Sequence, residues 1–356
     1  MARRCGMLTG AIALTLLVAV CPARGDRELH THDSPAIAGN EAGISSERRI
    51  QVYLPPDYAG GTERYPTVYY LPGWGGGASL GNSSVDALDA AIESGELPPV
   101  IVVGVSGSVR PAAGMIFLSS TQFGDWEGYL IDELIPWVDS TYRTVPDWRR
   151  RALTGWSAGG YAAMLLPVLH PGVWGASGAN DPASPWGCTR NTVPDGAFLD
   201  VLPTQGMVQQ VAMQIGTRLA PNPNEPIGYD QPLDVRDATD FAIWDEWRST
   251  FCLKNSIAIE NHSDALRALS VVAVVMPLNT SGTFTSHSNV MLDAMTAVGT
   301  AVTRLDMPGD HFTDASGRFL TITQEVVAAM NATEIPEPAT SVRAGGKLAT
   351  TWATVL

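Results

Sequence analysis

Arg151-Ala152-Leu153-Thr154-Gly155-Trp156-Ser157-Ala158-Gly159-Gly160-Tyr161-Ala162-Ala163-Met164 reads as a strand running straight into a tight turn and out into a helix, with Ser157 at its apex. The small residues opening the helix permit close packing on a sheet. Outward from this stretch, short β-branched or aromatic runs alternate with helical patterns. Strands are predicted over 49–53, 67–71, 100–105, 151–153, 175–178, 271–276 and 301–307. Helices are predicted over 85–94, 126–142, 159–169, 287–298 and 319–330. The alternation implies an α/β fold, a mostly parallel central sheet flanked by helices. There is no internal repeat.

Composition agrees with a folded chain. The 356 residues are 45% hydrophobic and 16% charged, with 35 Gly and 25 Pro, which excludes a disordered tail, a coiled coil and a collagen-like chain. The formal net charge is -14, and Lys254 and Lys347 are the only lysines. No basic stripe is available for a phosphate backbone, so nucleic acid is not an expected partner. The acidic balance speaks to solubility and names no substrate.

Arg3 and Arg4 precede an apolar run from Met7 to Val20, and Ala23-Arg24-Gly25 follows as a small-residue cleavage pattern. Residues 1–25 are therefore expected to be an export signal cut near Gly25, giving a secreted or periplasmic product. A lipoprotein signal at Cys21 is the rival, weakened by Val20 directly before the cysteine. No other apolar stretch is long enough to span a membrane. Removal of the signal takes Cys5 and Cys21 with it. The remaining pair, Cys188 and Cys252, is expected to form one disulfide in an oxidising compartment, buried free thiols being the alternative. No clustered His, Cys and carboxylate spacing suggests a metal, and no cofactor is expected.

The main domain is expected over 45–332, after a polar and loose stretch to about Ser46. From about 182 to 264 the strand signal fades into Pro, Asn, Asp and Trp, giving a cap-like insertion that holds both remaining cysteines. Trp186, Trp244 and Trp247 in it suit either a sugar or phenolic ring or the insertion's own core. The polar, Gly/Ala-rich segment 336–356 reads as a disordered tail.

Gly-x-Ser-x-Gly occurs twice, at Gly77-Ala78-Ser79-Leu80-Gly81 and at Gly155-Trp156-Ser157-Ala158-Gly159. Only Ser157 has a strand leading in and a helix leading out, the context of an activated nucleophile; Ser79 lies in a glycine-rich loop. That loop, Pro72-Gly73-Trp74-Gly75-Gly76-Gly77, follows an early strand. From there the Trp74 N–H, with the Ala158 N–H beside the serine, is suited to an oxyanion hole. The base should come after the last strand. His30 and His32 come too early, and His170 suits the end of the helix leaving the turn. Of His262, His287 and His311, the last sits in Pro308-Gly309-Asp310-His311-Phe312, just past a strand, and is the expected partner of Ser157.

Several stretches together resemble an esterase family of the α/β hydrolases (esterase D, feruloyl esterase and mycolyltransferase-like). They are Val52-Tyr53-Leu54-Pro55-Pro56-Asp57-Tyr58, Tyr65-Pro66-Thr67-Val68-Tyr69-Tyr70-Leu71-Pro72-Gly73, Glu133-Leu134-Ile135-Pro136, Tyr142-Arg143-Thr144, the Leu153–Tyr161 segment, His170-Pro171 and Gly309-Asp310-His311. The resemblance covers roughly 45–332 and implies carboxylic ester hydrolysis or acyl transfer through a serine triad. It departs from the family in two places. Pro72-Gly73 stands where relatives usually have His-Gly. The acid is expected after strand 271–276, yet 277–291 holds no Asp or Glu and offers Asn279, Thr280 and Ser281. Asp181, one strand earlier, is the first substitute. Asp293 and Asp310 are others, and a missing acid is the remaining alternative.

These readings predict a secreted serine esterase acting on a small-molecule or polysaccharide-linked ester, with carbohydrate-linked acyl or feruloyl esters as candidates. The alternatives are an acyltransferase to a sugar acceptor and, from another class, a hydrolase-like binding protein with a degraded triad.

Overall fold

The central strands are apolar on both faces, and that dictates a sheet covered on both sides. In the computed structural model, which describes residues 24–110, 113–183, 207–222, 224, 246–253, 256–280 and 282–332, eight strands form one sheet. They are β1 (Asp26–Asp33), β2 (Glu47–Leu54), β3 (Thr67–Leu71), β4 (Ile101–Val105), β5 (Arg151–Trp156), β6 (Ala176–Asn180), β7 (Val272–Pro277) and β8 (Val302–Met307). Their order is β1-β2-β4-β3-β5-β6-β7-β8. β1 pairs with β2, and β2 with β4, antiparallel; every other neighbour is parallel.

The two-residue period of a strand sorts the core into two layers. Ile101, Val103 and Val105 of β4, with Val272, Val274 and Met276 of β7, face one layer; Val102, Ala273 and Val275 face the other. The first layer is closed by a long helix that is α-helical over Trp126–Gly128, π-helical over Tyr129–Leu134 and α-helical again over Ile135–Thr141, and by the helix Ala158–Leu169. The second is closed by the helices Asn82–Ser94 and Ala315–Asn331 through Val85, Leu88, Phe319, Ile322 and Val326.

One expectation is corrected. The stretch to Ser46, read as loose, contains β1, which pairs along its full length with β2 from Asp26↔Leu54 to Asp33↔Glu47. Its sequence, Asp-Arg-Glu-Leu-His-Thr-His-Asp, carries no apolar alternation because it is an edge strand with largely exposed side chains.

The chain between β6 and β7 is the long connection in which the insertion was predicted. Its described parts include the helices Met207–Leu219, Ser256–Asn261 and Ser263–Ala268. Trp186, Trp244 and Cys188 lie outside the described residues, as do the predicted signal up to residue 23 and the predicted tail.

The strand order places β4 on one side of β3 and β5 on the other. At such a switch point the loops leaving the carboxyl ends of the strands diverge and leave a crevice. The segments holding Trp74, Ser157, Asp181 and His311 all leave carboxyl ends, of β3, β5, β6 and β8.

Candidate active site

Ser157 sits between β5 and the helix Ala158–Leu169 with φ 55° and ψ -117°, a strained conformation for a residue with a side chain. The flanking glycines allow it. A Cβ on Gly155 would lie 2.3 Å from the Gly159 carbonyl oxygen. One on Gly159 would lie 2.3 Å from the Leu71 oxygen and 2.4 Å from the Pro72 oxygen. The helix can therefore approach β3 only with glycine at 159. The strained turn is fixed from outside: the Ser157 N–H donates to the Asn180 carbonyl at 3.0 Å, and the Ala183 N–H donates to the Ser157 carbonyl at 3.0 Å. The second Gly-x-Ser-x-Gly lies elsewhere. Ser79 is exposed in the loop before Asn82–Ser94, and its Oγ accepts from the Gly81 N–H at 3.2 Å.

Asp181 follows β6 immediately and is fully buried, with φ 41°. Its N–H donates to the Val275 carbonyl of β7 at 2.9 Å, which fixes the backbone. One carboxylate oxygen, Oδ2, lies 2.6 Å from His311 Nδ1. The same oxygen accepts from the Thr280 hydroxyl at 2.6 Å. The structure thus brings Asp181 and His311 together. Asp293 is an exposed helix residue, and Asp310 turns its carboxylate to the Phe312 and Thr313 N–H groups and the Thr313 hydroxyl.

His311 is held from three sides. The Trp156 indole N–H donates to its carbonyl at 3.2 Å, and the indole lies against the imidazole with ring centroids 5.3 Å apart. The Asn279 N–H donates to the Gly309 carbonyl at 2.9 Å, so the loop after β7 is tied to the loop after β8. The fully buried Arg318 donates to the Asp310 and Pro308 carbonyls, both at 2.6 Å. Trp156 adjoins Ser157 in sequence, so its contact with His311 brings the serine turn beside the His311 loop. Phe312 next door is 75% exposed and packs edge-on against both Trp156 and His311.

After β3, Gly73 to Gly76 make a turn closed by Gly76 N–H to the Gly73 carbonyl at 2.9 Å. The Trp156 ring lies over Gly73, where a Cβ would meet it at 2.9 Å. Trp74 packs on the first core layer. The Trp74 and Ala158 N–H groups donate to no other group among the described residues, Ala158 because it opens a helix. The segment 113–116 lies against this turn, a Cβ on Gly75 falling 2.5 Å from the Ala113 carbonyl. It is carried in turn by Gln210 and Gln214 of the helix Met207–Leu219, which accept from the Ala113 and Ile116 N–H groups at 2.7 and 2.9 Å.

The other histidines have different surroundings. His30 and His32 lie on β1 against Trp137. His170 ends the helix Ala158–Leu169, as its position suggested, with Nε2 2.7 Å from Glu127 Oε2. His262 Nε2 lies 2.9 Å from the Thr250 carbonyl, and burial lowers its pKa. His287 is on the helix Gly282–Ala297. Cys252 is buried in the connection between β6 and β7, beside Phe251, whose carbonyl accepts from the Tyr161 hydroxyl; burial pushes that phenol up. Among the described residues no group of three or more His, Cys, Asp or Glu side chains could hold a metal ion, and no helix is long and apolar enough to cross a membrane.

Three neighbours of the site had no role assigned to them from sequence: Thr280, Trp156 and Arg318. Thr280 alone had a signal, a hydroxyl residue in the turn directly after an all-apolar strand.

A family described as "Putative esterase" matches residues 42–225, which include the Trp74 turn, Ser157 and Asp181. The chain belongs to this esterase family. It is 27% identical over 149 residues to the protein YbbA of Bacillus subtilis, covering 38% of this chain and 56% of that one. It is 35% identical over 135 residues to an endo-1,4-beta-xylanase/feruloyl esterase of Xylanibacter ruminicola, covering 35% of this chain and 18% of that one. The esterase chain thus spans little more than half of the first of these relatives and under a fifth of the second. Among solved structures, a ferulic acid esterase superposes with a TM-score of 0.59 at 16% identity, over 86% of this chain and 99% of that one, which shows a shared α/β-hydrolase fold.

Proposed function

We propose that the protein is a serine carboxylic ester hydrolase in which Ser157 is the nucleophile, His311 the general base and Asp181 the acid that orients it. The observation that carries this reading is the 2.6 Å bond between buried Asp181 and His311 Nδ1 beside the strained Ser157 turn. A carboxylate on Nδ1 fixes the tautomer that leaves Nε2 able to accept a proton, and it stabilises the imidazolium formed in the reaction.

Ser157 Oγ attacks the ester carbonyl carbon while His311 Nε2 takes its proton. Negative charge moves to the carbonyl oxygen, to which the Trp74 and Ala158 N–H groups donate as an oxyanion hole. The C–O bond to the alcohol then breaks, and the leaving oxygen takes the proton from His311. Water, activated by the same imidazole, adds to the acyl-serine and releases the acid and free Ser157. A sugar hydroxyl in place of water would make the same steps an acyl transfer.

The binding-protein alternative drew on the lack of a carboxylate after β7. The Asp181–His311 bond supplies one from β6 and favours the enzyme. Phe312, exposed beside His311, favours esters with a ring or sugar near the reacting bond, in line with the feruloyl esterase named among the relatives. Export through residues 1–25, a domain over 45–332 with an insertion over 182–264, a tail over 336–356 and a Cys188–Cys252 bridge complete the reading of a secreted or periplasmic enzyme.

The test is turnover of a short-chain aryl ester, and covalent labelling by a fluorophosphonate probe, in the wild type and in Ser157→Ala. Loss of both in a folded Ser157→Ala is expected. A wild type that neither turns over the ester nor is labelled at Ser157 would overturn the reading.

A further inference from the structure

Thr280 occupies the end of the turn that leaves β7, and nothing about its residue type requires it to touch the catalytic groups. Its hydroxyl nevertheless donates to Asp181 Oδ2 at 2.6 Å, and that oxygen is the one 2.6 Å from His311 Nδ1. The other carboxylate oxygen, Oδ1, is buried and takes no hydrogen bond from any described residue. A buried carboxylate with one engaged oxygen could turn about its Cβ–Cγ bond and present either oxygen, or neither, to the imidazole. Two donors converging on one oxygen prevent that rotation.

The turn carrying Thr280 is itself fixed to the loop that carries His311. The Leu278 N–H donates to the Met307 carbonyl and the Asn279 N–H to the Gly309 carbonyl, each at 2.9 Å. The hydroxyl donor, the carboxylate acceptor and the imidazole therefore come from the ends of three adjacent parallel strands, β7, β6 and β8, cross-linked to one another. Asp181 reaches His311 across the end of β7, and Thr280 is the residue it passes.

We propose that Thr280 is a positioning residue for the reaction: its hydroxyl locks the Asp181 carboxylate in the orientation that aligns His311. This rests on the assignment of Ser157, His311 and Asp181 above. Thr280 touches no reacting atom, and its effect passes through Asp181.

The experiment compares steady-state ester hydrolysis by Thr280→Val, Thr280→Ser, Asp181→Asn and the Thr280→Val/Asp181→Asn pair, with Tm measured for each and Ser157→Ala as the control. Val keeps the shape of Thr and removes the donor; Ser keeps the donor. A charge-assisted hydrogen bond that matters in the transition state predicts that Thr280→Val lowers kcat about tenfold with KM nearly unchanged. Thr280→Ser should recover most of that loss. In the Asp181→Asn background the valine should add little further loss, because residues acting through one another are not additive. A Thr280→Val enzyme with wild-type kcat, or a loss of the same factor in both backgrounds, overturns the inference while leaving the triad assignment standing. Wild-type activity in Ser157→Ala or Asp181→Asn would instead overturn the assignment on which it rests.

Discussion

Replacing Glu127 by Gln should remove about 3 kcal/mol of stability at neutral pH, and the structure supplies the reason. Glu127 lies in the first turn of the helix that begins at Trp126, and its side chain is 8% exposed. Burial by itself would raise its pKa. Hydrogen bonds and charge from His170 and Arg218 outweigh burial and bring it from 4.5 down to about 2. Oε1 also accepts from the Ser119 N–H at 3.0 Å, and Arg218 pairs with the same oxygen. The drop from 4.5 to about 2 is worth roughly 3 kcal/mol. That falls at the lower edge of the ~3–5 kcal/mol typical when one partner of a buried ion pair is removed.

The pH dependence of this contribution has a definite sign. The folded pKa lies below the unfolded one, so the unfolded chain binds more protons as the medium turns acid. The stabilisation is complete above about pH 4.5 and is lost as pH falls toward 2, with roughly half remaining near pH 3. Urea unfolding of the wild type and Glu127→Gln, followed by tryptophan fluorescence at pH 7, 5 and 3, measures it. The gap between the two proteins should not shrink from pH 7 to 5 and should narrow by about half at pH 3. Equal stability at pH 7, or a gap that does not narrow, would refute the reasoning. Arg218 belongs to the helix Met207–Leu219, so the same pair fastens the connection between β6 and β7 to the rest of the fold.

Two other outcomes can be measured, the first from the geometry and the second from the proposed bridge. Gly159→Ala places a methyl 2.3–2.4 Å from two backbone oxygens that cannot move independently of β3, so ester turnover should fall at least about tenfold and Tm should drop. Wild-type turnover in a Gly159→Ala enzyme would contradict the close packing of that helix. If Cys188 and Cys252 are bridged, the exported protein should show no free thiol on denaturation without reductant. Cys252→Ser should then cost about 2–4 kcal/mol in urea unfolding; a titratable thiol in the exported wild type would remove the bridge.

Much of the framework was written in local sequence. The seven strands from β2 to β8 were legible because their runs are short, β-branched or apolar and bounded by turn residues. The helices between them were legible from spacing. Ser157 was identifiable because strand, glycine, serine, glycine and helix are consecutive, and the physics of that turn is local. β1 was not, since an exposed edge strand has no hydrophobic alternation to read. The helix Met207–Leu219 was also missed, because it lies in a segment whose neighbours carry Pro and Asn.

The sequence by itself determined the α/β alternation and the serine turn, and it singled out His311 among six histidines as the expected partner of Ser157. It did not decide between Asp181, its rivals and no acid at all, since a carboxylate 130 positions from a histidine carries no local mark of its partner. Tertiary structure decided which carboxylate meets the imidazole, because the order of parallel strands sets which loop ends converge. It also brought Thr280, Trp156 and Arg318 to that point, through contacts between backbone segments that no residue pattern encodes.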